Sequence, residues 1–152
     1  MLLDFIALTV TMTMNHTKRL DFKKIKTIAI VGLSDKPDRP SYKVGKYLLE
    51  QGFKIFPVNP NIDNFLGIKG YKTLSDIKEK VDVVDIFRKS ESVEPIVEEA
   101  IKIGAKTIWM QEGVINENAA TKARLAGLTV VMNMCMMKAH KKMLNLKRLN
   151  VK

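Results

Sequence analysis

A single cysteine, Cys135, stands in a chain of 152 residues, which rules out an internal disulfide and any Cys-rich zinc site and points to a reducing, cytoplasmic setting. Histidine is almost as scarce. His16 and His140 are the two present, and neither joins a nucleophile and an acid in an arrangement that supports a triad. No pair of carboxylates shares a site. Aromatics amount to 7% and few accompany the cationic residues, which argues against base stacking on a nucleic acid. The apolar stretch at residues 5–10 falls far short of the ~20 residues of a membrane span. It has Asp4 before it, no Lys or Arg, and no small-residue cleavage site after it, so it does not read as a secretory signal. No membrane association is expected.

Acidic residues are the scarcer sign: 16 Asp and Glu stand against 26 Lys and Arg, for a formal charge of +10. The excess lies at the ends, in Lys18, Arg19, Lys23, Lys24 and Lys26 and again in Lys138, Lys141, Lys142, Lys147, Arg148 and Lys152, while residues 27–137 are close to neutral. Basic flanks alone supply sequence-independent attraction, so solvated faces and tails are expected rather than a surface that reads nucleic acid.

The apolar fraction, 46%, is enough for one core, and the length is that of one domain. Residues 1–22 read as an unpacked or annexed segment, 23–145 as the domain and 146–152 as a basic tail. Within the domain, short runs rich in Val and Ile recur: TIAIV at 27–31, KIFPV at 54–58, VDVVDIF at 81–87, TIWM at 107–110 and TVVM at 129–132. Amphipathic helical runs separate them. Val93, Ile96, Val97, Ala100 and Ile101 hold one helical spacing, and Val44, Tyr47 and Leu48 another. Gly52, Gly104 and Gly127 suit left-handed helix ends, and Ser41, Ser92 and Asn116 suit N-caps. Residues 136–149 form a last helix in this reading, and 65–80 a short connection plus a second-crossover helix. Alternating strands and helices predict a doubly wound, mostly parallel five-stranded α/β sheet with helices on both faces, in strand order 3-2-1-4-5.

In open sheets of this kind ligands sit beyond the carboxyl ends of the strands. The first such loop carries Gly32, which permits a tight turn, Ser34 with its hydroxyl, and Lys36 and Arg39 beside a helix N-terminus that favours anions. A phosphorylated ligand and a solvated polar loop are both compatible with this segment alone. Strand two runs into Asn59 and Pro60, without the acidic residue that would bind a dinucleotide ribose, and the first loop lacks G-x-G-x-x-G. Strand three ends at Phe87 and Arg88, a ring and a guanidinium suited to a base and a phosphate. Strand four ends at Gln111, Glu112 and Gly113, with Asn116 at the next helix start. Cys135 lies just past strand five, as a buried hydrophobe or as a thiol within reach of a ligand.

The combination of Val31-Gly32-x-Ser34-x-Lys36-x-x-Arg39-Pro40-Ser41-Tyr42, Pro57-Val58-Asn59-Pro60, Asp85-Ile86-Phe87-Arg88 and Trp109-x-Gln111-x-Gly113 resembles the stand-alone CoA-binding proteins, relatives of the CoA-binding domain in the succinyl-CoA synthetase α subunit. The resemblance implies a Rossmann-like domain with coenzyme A or an acyl-CoA in the cleft. By it, Gly32, Ser34, Lys36, Arg39 and Ser41, next to Tyr42, would hold phosphates and ribose. Asn59 and Pro60 would border the nucleotide, Phe87 and Arg88 the adenine, and Gln111 and Gly113, with Asn116 nearby, the pantetheine side. Where the family often reads V-V-M-D-R-C and then I-x-x-E-H, the acid, the Arg and the Glu are replaced here by Asn133, Met134 and Ala139. The expected function is non-catalytic binding of CoA by a sensor, carrier or regulatory module. The alternative is an NAD(P)- or nucleotide-dependent oxidoreductase or ligase component using the same cleft. A homo-oligomer or a protein partner is compatible with the sequence and specified by nothing in it.

Overall fold

The computed structural model describes residues 20–150. In chain order its elements are β1 (Thr27–Val31), α1 (Pro40–Glu50), β2 (Lys54–Val58), β3 (Asn64–Phe65), β4 (Ile68–Lys69), β5 (Val83–Ile86), α2 (Val93–Lys102), β6 (Thr107–Met110), α3 (Glu117–Leu125), β7 (Thr129–Val131) and α4 (Met136–Asn150). β2, β1, β5, β6 and β7 lie in that order in one all-parallel sheet, and β3 and β4 form a separate small hairpin. Because strand side chains alternate, Ala29, Val31, Val84, Ile86, Ile108 and Met110 pack on one face with α2 and α3. Ile28, Ile30, Val83, Trp109 and Val131 pack on the other with α1 and α4. Both faces are covered, as the unbroken Val and Ile runs require, and the chain is a Rossmann-like α/β domain.

Several expectations are corrected. Counting the parallel strands alone, the order is 2-1-3-4-5 and not 3-2-1-4-5. The outer edge of β2, where a third strand would have paired, is taken by its own connection: the Tyr71 N–H donates to the Pro57 carbonyl (2.8 Å) and the Asn59 N–H to the Tyr71 carbonyl (2.9 Å). β5 therefore pairs on the far side of β1. Residues 65–80 hold no crossover helix either. Leu66 and Gly67, both with positive φ, close the β3–β4 hairpin, and Thr73 with Asp76 boxes in a 3₁₀ turn, Leu74–Asp76. Ser41 is not a helix cap, since α1 starts at Pro40 after Arg39 and Ser41 turns its hydroxyl to the preceding loop. Ser92 precedes α2 without a capping bond, whereas Asn116 caps α3 by accepting from the Ala119 N–H (2.9 Å).

The chain joins the core earlier than residue 23. A 3₁₀ turn capped by Asp21 sets Phe22 against Trp109 and against His140, with ring centroids 6.0 and 5.0 Å away, because a ring of that size gains more by burial than by exposure. The rest of the segment read as unpacked, residues 1–19, lies outside the described residues. At the other end α4 continues to Asn150, through most of the predicted tail. Its inner side is anchored by Met136 and by His140, whose Nδ1 is hydrogen-bonded to Tyr47 Oη at 2.7 Å and whose ring meets Phe53 at 5.4 Å. Burial, and then the charge of Lys147, holds the His140 pKa below its ordinary value.

The amino end of the sheet is clasped by Asp82. Its Oδ2 accepts from the N–H groups of Lys26 (2.8 Å) and Thr27 (3.1 Å), and its own N–H donates to Thr27 Oγ1 (2.9 Å). Burial raises its pKa, but those two N–H groups and the charges of Lys106 and Lys80 outweigh it, and the net shift is downward. A depressed carboxyl pKa stabilises the fold above the ordinary range near 4 and ceases to do so as pH falls through the folded value. Asp82→Ala is expected to lower the unfolding free energy at pH 7 by about 1–3 kcal/mol, as two N–H groups lose their acceptor. Urea unfolding at pH 7 and pH 3 checks this, with a smaller difference expected at pH 3.

Candidate functional site

The carboxyl ends of β1, β2, β5 and β6 open into a cleft of about 940 Å³. Its geometry starts at Gly32. With φ at +87° this residue turns the chain out of β1 so close to β5 that an added Cβ would collide with the Phe87 carbonyl oxygen. The loop that follows is braced from within. The Ser34 N–H donates to Ser41 Oγ (3.0 Å), the Lys36 N–H to Ser34 Oγ (3.1 Å), and Asn59 Nδ2 to the Leu33 carbonyl (3.0 Å). Asn59 Oδ1 in turn accepts from the Asn61 N–H (2.9 Å). Ser41 and Asn59 therefore hold the shape of the loop that carries Lys36 and Arg39.

Of the sequence-predicted residues, Gly32, Ser34, Lys36, Arg39 and Ser41 line the cleft from the β1 side. Asn59, Phe87, Arg88, Gln111 and Gly113 line it from the other strands. Three do not line it. Tyr42 packs edge-on against Phe65 at 5.3 Å, Pro60 borders a small separate cavity beside Lys72 and Thr73, and Asn116 is committed to capping α3 and to the Ser90 carbonyl (2.8 Å). Among the described residues, no ion pair involves Lys36, Arg39 or Arg88. The lining from the loops after β6 and β7, at Gln111, Gly113, Val114 and Cys135, is uncharged apart from Glu112, which pairs with Lys138 at 3.1 Å. Asn133 lies behind this end in the left-handed region (φ 58°), and its Oδ1 accepts from the Gly113 N–H (2.8 Å). In place of the acid common in the resembling family it still offers an acceptor oxygen.

Sequence reasoning placed Asp85 in a motif but gave it no role at the site. It stands in mid-strand on β5, fully enclosed, between Ile30 on β1 and Trp109 on β6. Its Oδ1 accepts from Gln111 Nε2 at 2.7 Å and its Oδ2 has no partner. The neighbouring indole N–H is spent elsewhere, on the Met134 carbonyl (2.8 Å). Burial pushes the Asp85 pKa up to about 7, against the lowering effect of Gln111. An available signal was its place in VDVVDIF, an acid at an inward position of a strand covered on both faces.

A doubly wound parallel sheet with a cleft at its carboxyl edge, lined by Lys36, Arg39 and Arg88 from the loops after β1 and β5 and by Gln111 and Gly113 from the loop after β6, defines the class of this domain. The chain belongs to the CoA-binding domain family, whose model matches residues 26–141. It is 40% identical over 131 residues to protein YneT of Bacillus subtilis, covering 84% of this chain and 97% of that protein. It is also 35% identical over 81 residues to an ADP-forming acetate–CoA ligase of Methanocaldococcus jannaschii, over 53% of this chain but 12% of the ligase. Among solved structures, a protein from Pyrococcus horikoshii OT3 superposes with a TM-score of 0.80 at 42% identity, covering 87% of this chain and 92% of that one. The chain is thus a CoA-binding domain related to that of the ADP-forming ligases.

A folded pKa raised on an acid means the fold penalises the ionised form relative to the neutral one. Stability from Asp85 is complete below its unfolded value near 4 and is lost as pH rises through about 7. Asp85→Asn, of the same shape and without charge, is expected to raise the melting temperature at pH 8 and to change it little at pH 5. Calorimetric scans at the two pH values check this.

Proposed function

We propose that the cleft binds coenzyme A or an acyl-CoA and that the protein is a non-catalytic module, a sensor, carrier or regulatory unit, acting in the cytoplasm. The observation that carries the reading is the division of the cleft. Lys36, Arg39 and Arg88, unpaired within the described residues, line it from the loops after β1 and β5, and uncharged Gln111, Gly113 and Cys135 line it from the loops after β6 and β7, with Asp35 and Glu112 the acids among the lining. Coenzyme A has the matching polarity, a phosphorylated nucleotide joined to an uncharged arm with two amides and a thiol. Phosphates then meet Lys36, Arg39 and the first turn of α1, whose N–H groups have no intrahelical acceptor. The adenine lies toward Phe87 and Arg88, and the arm runs over Gln111 and Gly113 toward Cys135. Family membership and the ligase relatives support the same ligand. Among the described residues no helix is long and apolar enough to cross a membrane. His140 is tied to Tyr47 away from the cleft, which favours binding over proton-transfer chemistry.

The likeness to ADP-forming ligases favours one second reading, a component that hands CoA to a separate catalytic subunit. Calorimetric titration with CoA, acetyl-CoA, NAD and ATP separates the possibilities. Micromolar or tighter binding of CoA with none of NAD is the expected outcome, and no binding of CoA or acetyl-CoA would overturn the reading. Dephospho-CoA should bind less well than CoA. Arg39→Ala should weaken CoA binding by roughly 1.5–3 kcal/mol, the worth of a charge-assisted bond to phosphate, and an unchanged affinity would remove Arg39 from the site.

A further inference from the structure

Gln111 is the polar floor of the uncharged end of the cleft, and what it offers a ligand depends on which end of its amide faces up. An ionised carboxylate only accepts hydrogen bonds, and a primary amide donates only through nitrogen. Asp85 Oδ1 lies 2.7 Å from Gln111 Nε2, beneath the floor and closed to solvent. Ile30 and Trp109 flank it on the neighbouring strands, and the indole N–H is committed to Met134, so the described structure gives that carboxyl no donor other than Gln111. We infer that Asp85 is a specificity-determining positioning residue: it holds the nitrogen of Gln111 inward, leaving Oε1 as an acceptor for the cleft, so that the ligand group seated there is an uncharged donor, an amide N–H of a pantetheine-type arm.

This rests on the coenzyme A reading and extends it. The same floor discriminates against a ligand that places a carbonyl, a carboxylate or a phosphate at this point, because two acceptors would then face each other with no proton between them. An aliphatic residue at position 85 would fill the core at less cost, since burying a carboxyl with one oxygen unpartnered is unfavourable. A carboxylate here is explained by what it does to the amide above it.

The test compares coenzyme A with adenosine 3′,5′-bisphosphate, which has the nucleotide end and no arm, by calorimetry at pH 8, where the Asp85 carboxyl is mostly ionised. Asn at position 85 can offer Gln111 either a donor or an acceptor and so releases its orientation. Asp85→Asn is expected to weaken coenzyme A by about five- to tenfold, the worth of one neutral hydrogen bond, with the bisphosphate unchanged. In a Gln111→Leu background the same substitution should have no further effect, the non-additivity that marks a residue acting through its neighbour. Equal losses for both ligands, no loss for coenzyme A, or additive losses in the double variant would overturn the inference while leaving the ligand assignment standing. Failure of the unaltered protein to bind coenzyme A would remove the ligand assignment and the inference with it. A measurement that needs no variant is NMR of the Gln111 side chain. Coenzyme A should shift its carbonyl carbon and leave its NH₂ protons protected, whereas NH₂ protons that shift strongly and exchange freely would show the amide facing the other way.

Discussion

The site depends on β1 being an interior strand. Paired with β2 on one side and β5 on the other, it forces the chain to leave its carboxyl end between two neighbours and to turn in the width of a single residue. Gly32 meets that demand because its missing Cβ leaves room for the Phe87 carbonyl, and its left-handed backbone sends the loop across the top of the sheet instead of out into solvent. The walls of the cleft follow from this. The cations ride on the loop that Gly32 launches, while Phe87, Arg88 and Gln111 end the strands on the other side of the reversal.

What could be read in the sequence was whatever local chemistry dictates. Thr27–Val31, Lys54–Val58 and Thr107–Met110 announce themselves as strands by composition, and Gly52, Gly104 and Gly127 mark helix ends because each sits at positive φ. Strand order was not legible, because it turns on a long-range pair of hydrogen bonds at Tyr71 that no periodicity records. Residues 65–80 misled for the same reason. Their apolar positions serve a hairpin and a 3₁₀ turn, two elements too short to show a period. At the site, the cations and glycines stood out by residue type and spacing. The bracing roles of Ser41 and Asn59 did not, since a side chain that bonds a backbone atom several or many residues away looks in sequence like one aimed at a ligand.

Two aspartates, one just before β5 and one within it, treat charge in opposite ways. Asp82, immediately before the strand, collects backbone N–H groups and is stabilised as an anion. Asp85, three residues on and on the other face, has one amide for company and is penalised as an anion. The same residue type, a turn of the pleat apart, is a clasp in one place and a liability in the other. Local rules are broken only at the second, directly beneath the cleft, which is where proteins tend to give up stability for function.

The last helix is attached unevenly. Met136 and His140 seat its first turns in the core, but from Lys141 onward no residue is buried, and its side chains there are largely Lys, Arg, Asn and Leu. Beyond that point helical order rests on intrinsic propensity with little tertiary packing behind it, and an unsupported segment of this length is marginal in water. α4 is thus two objects joined end to end: a wedge seated in the core of the domain, and a cationic extension that touches the rest of the fold through Lys141 over the Tyr47 ring and the half-buried Met143 and Leu144.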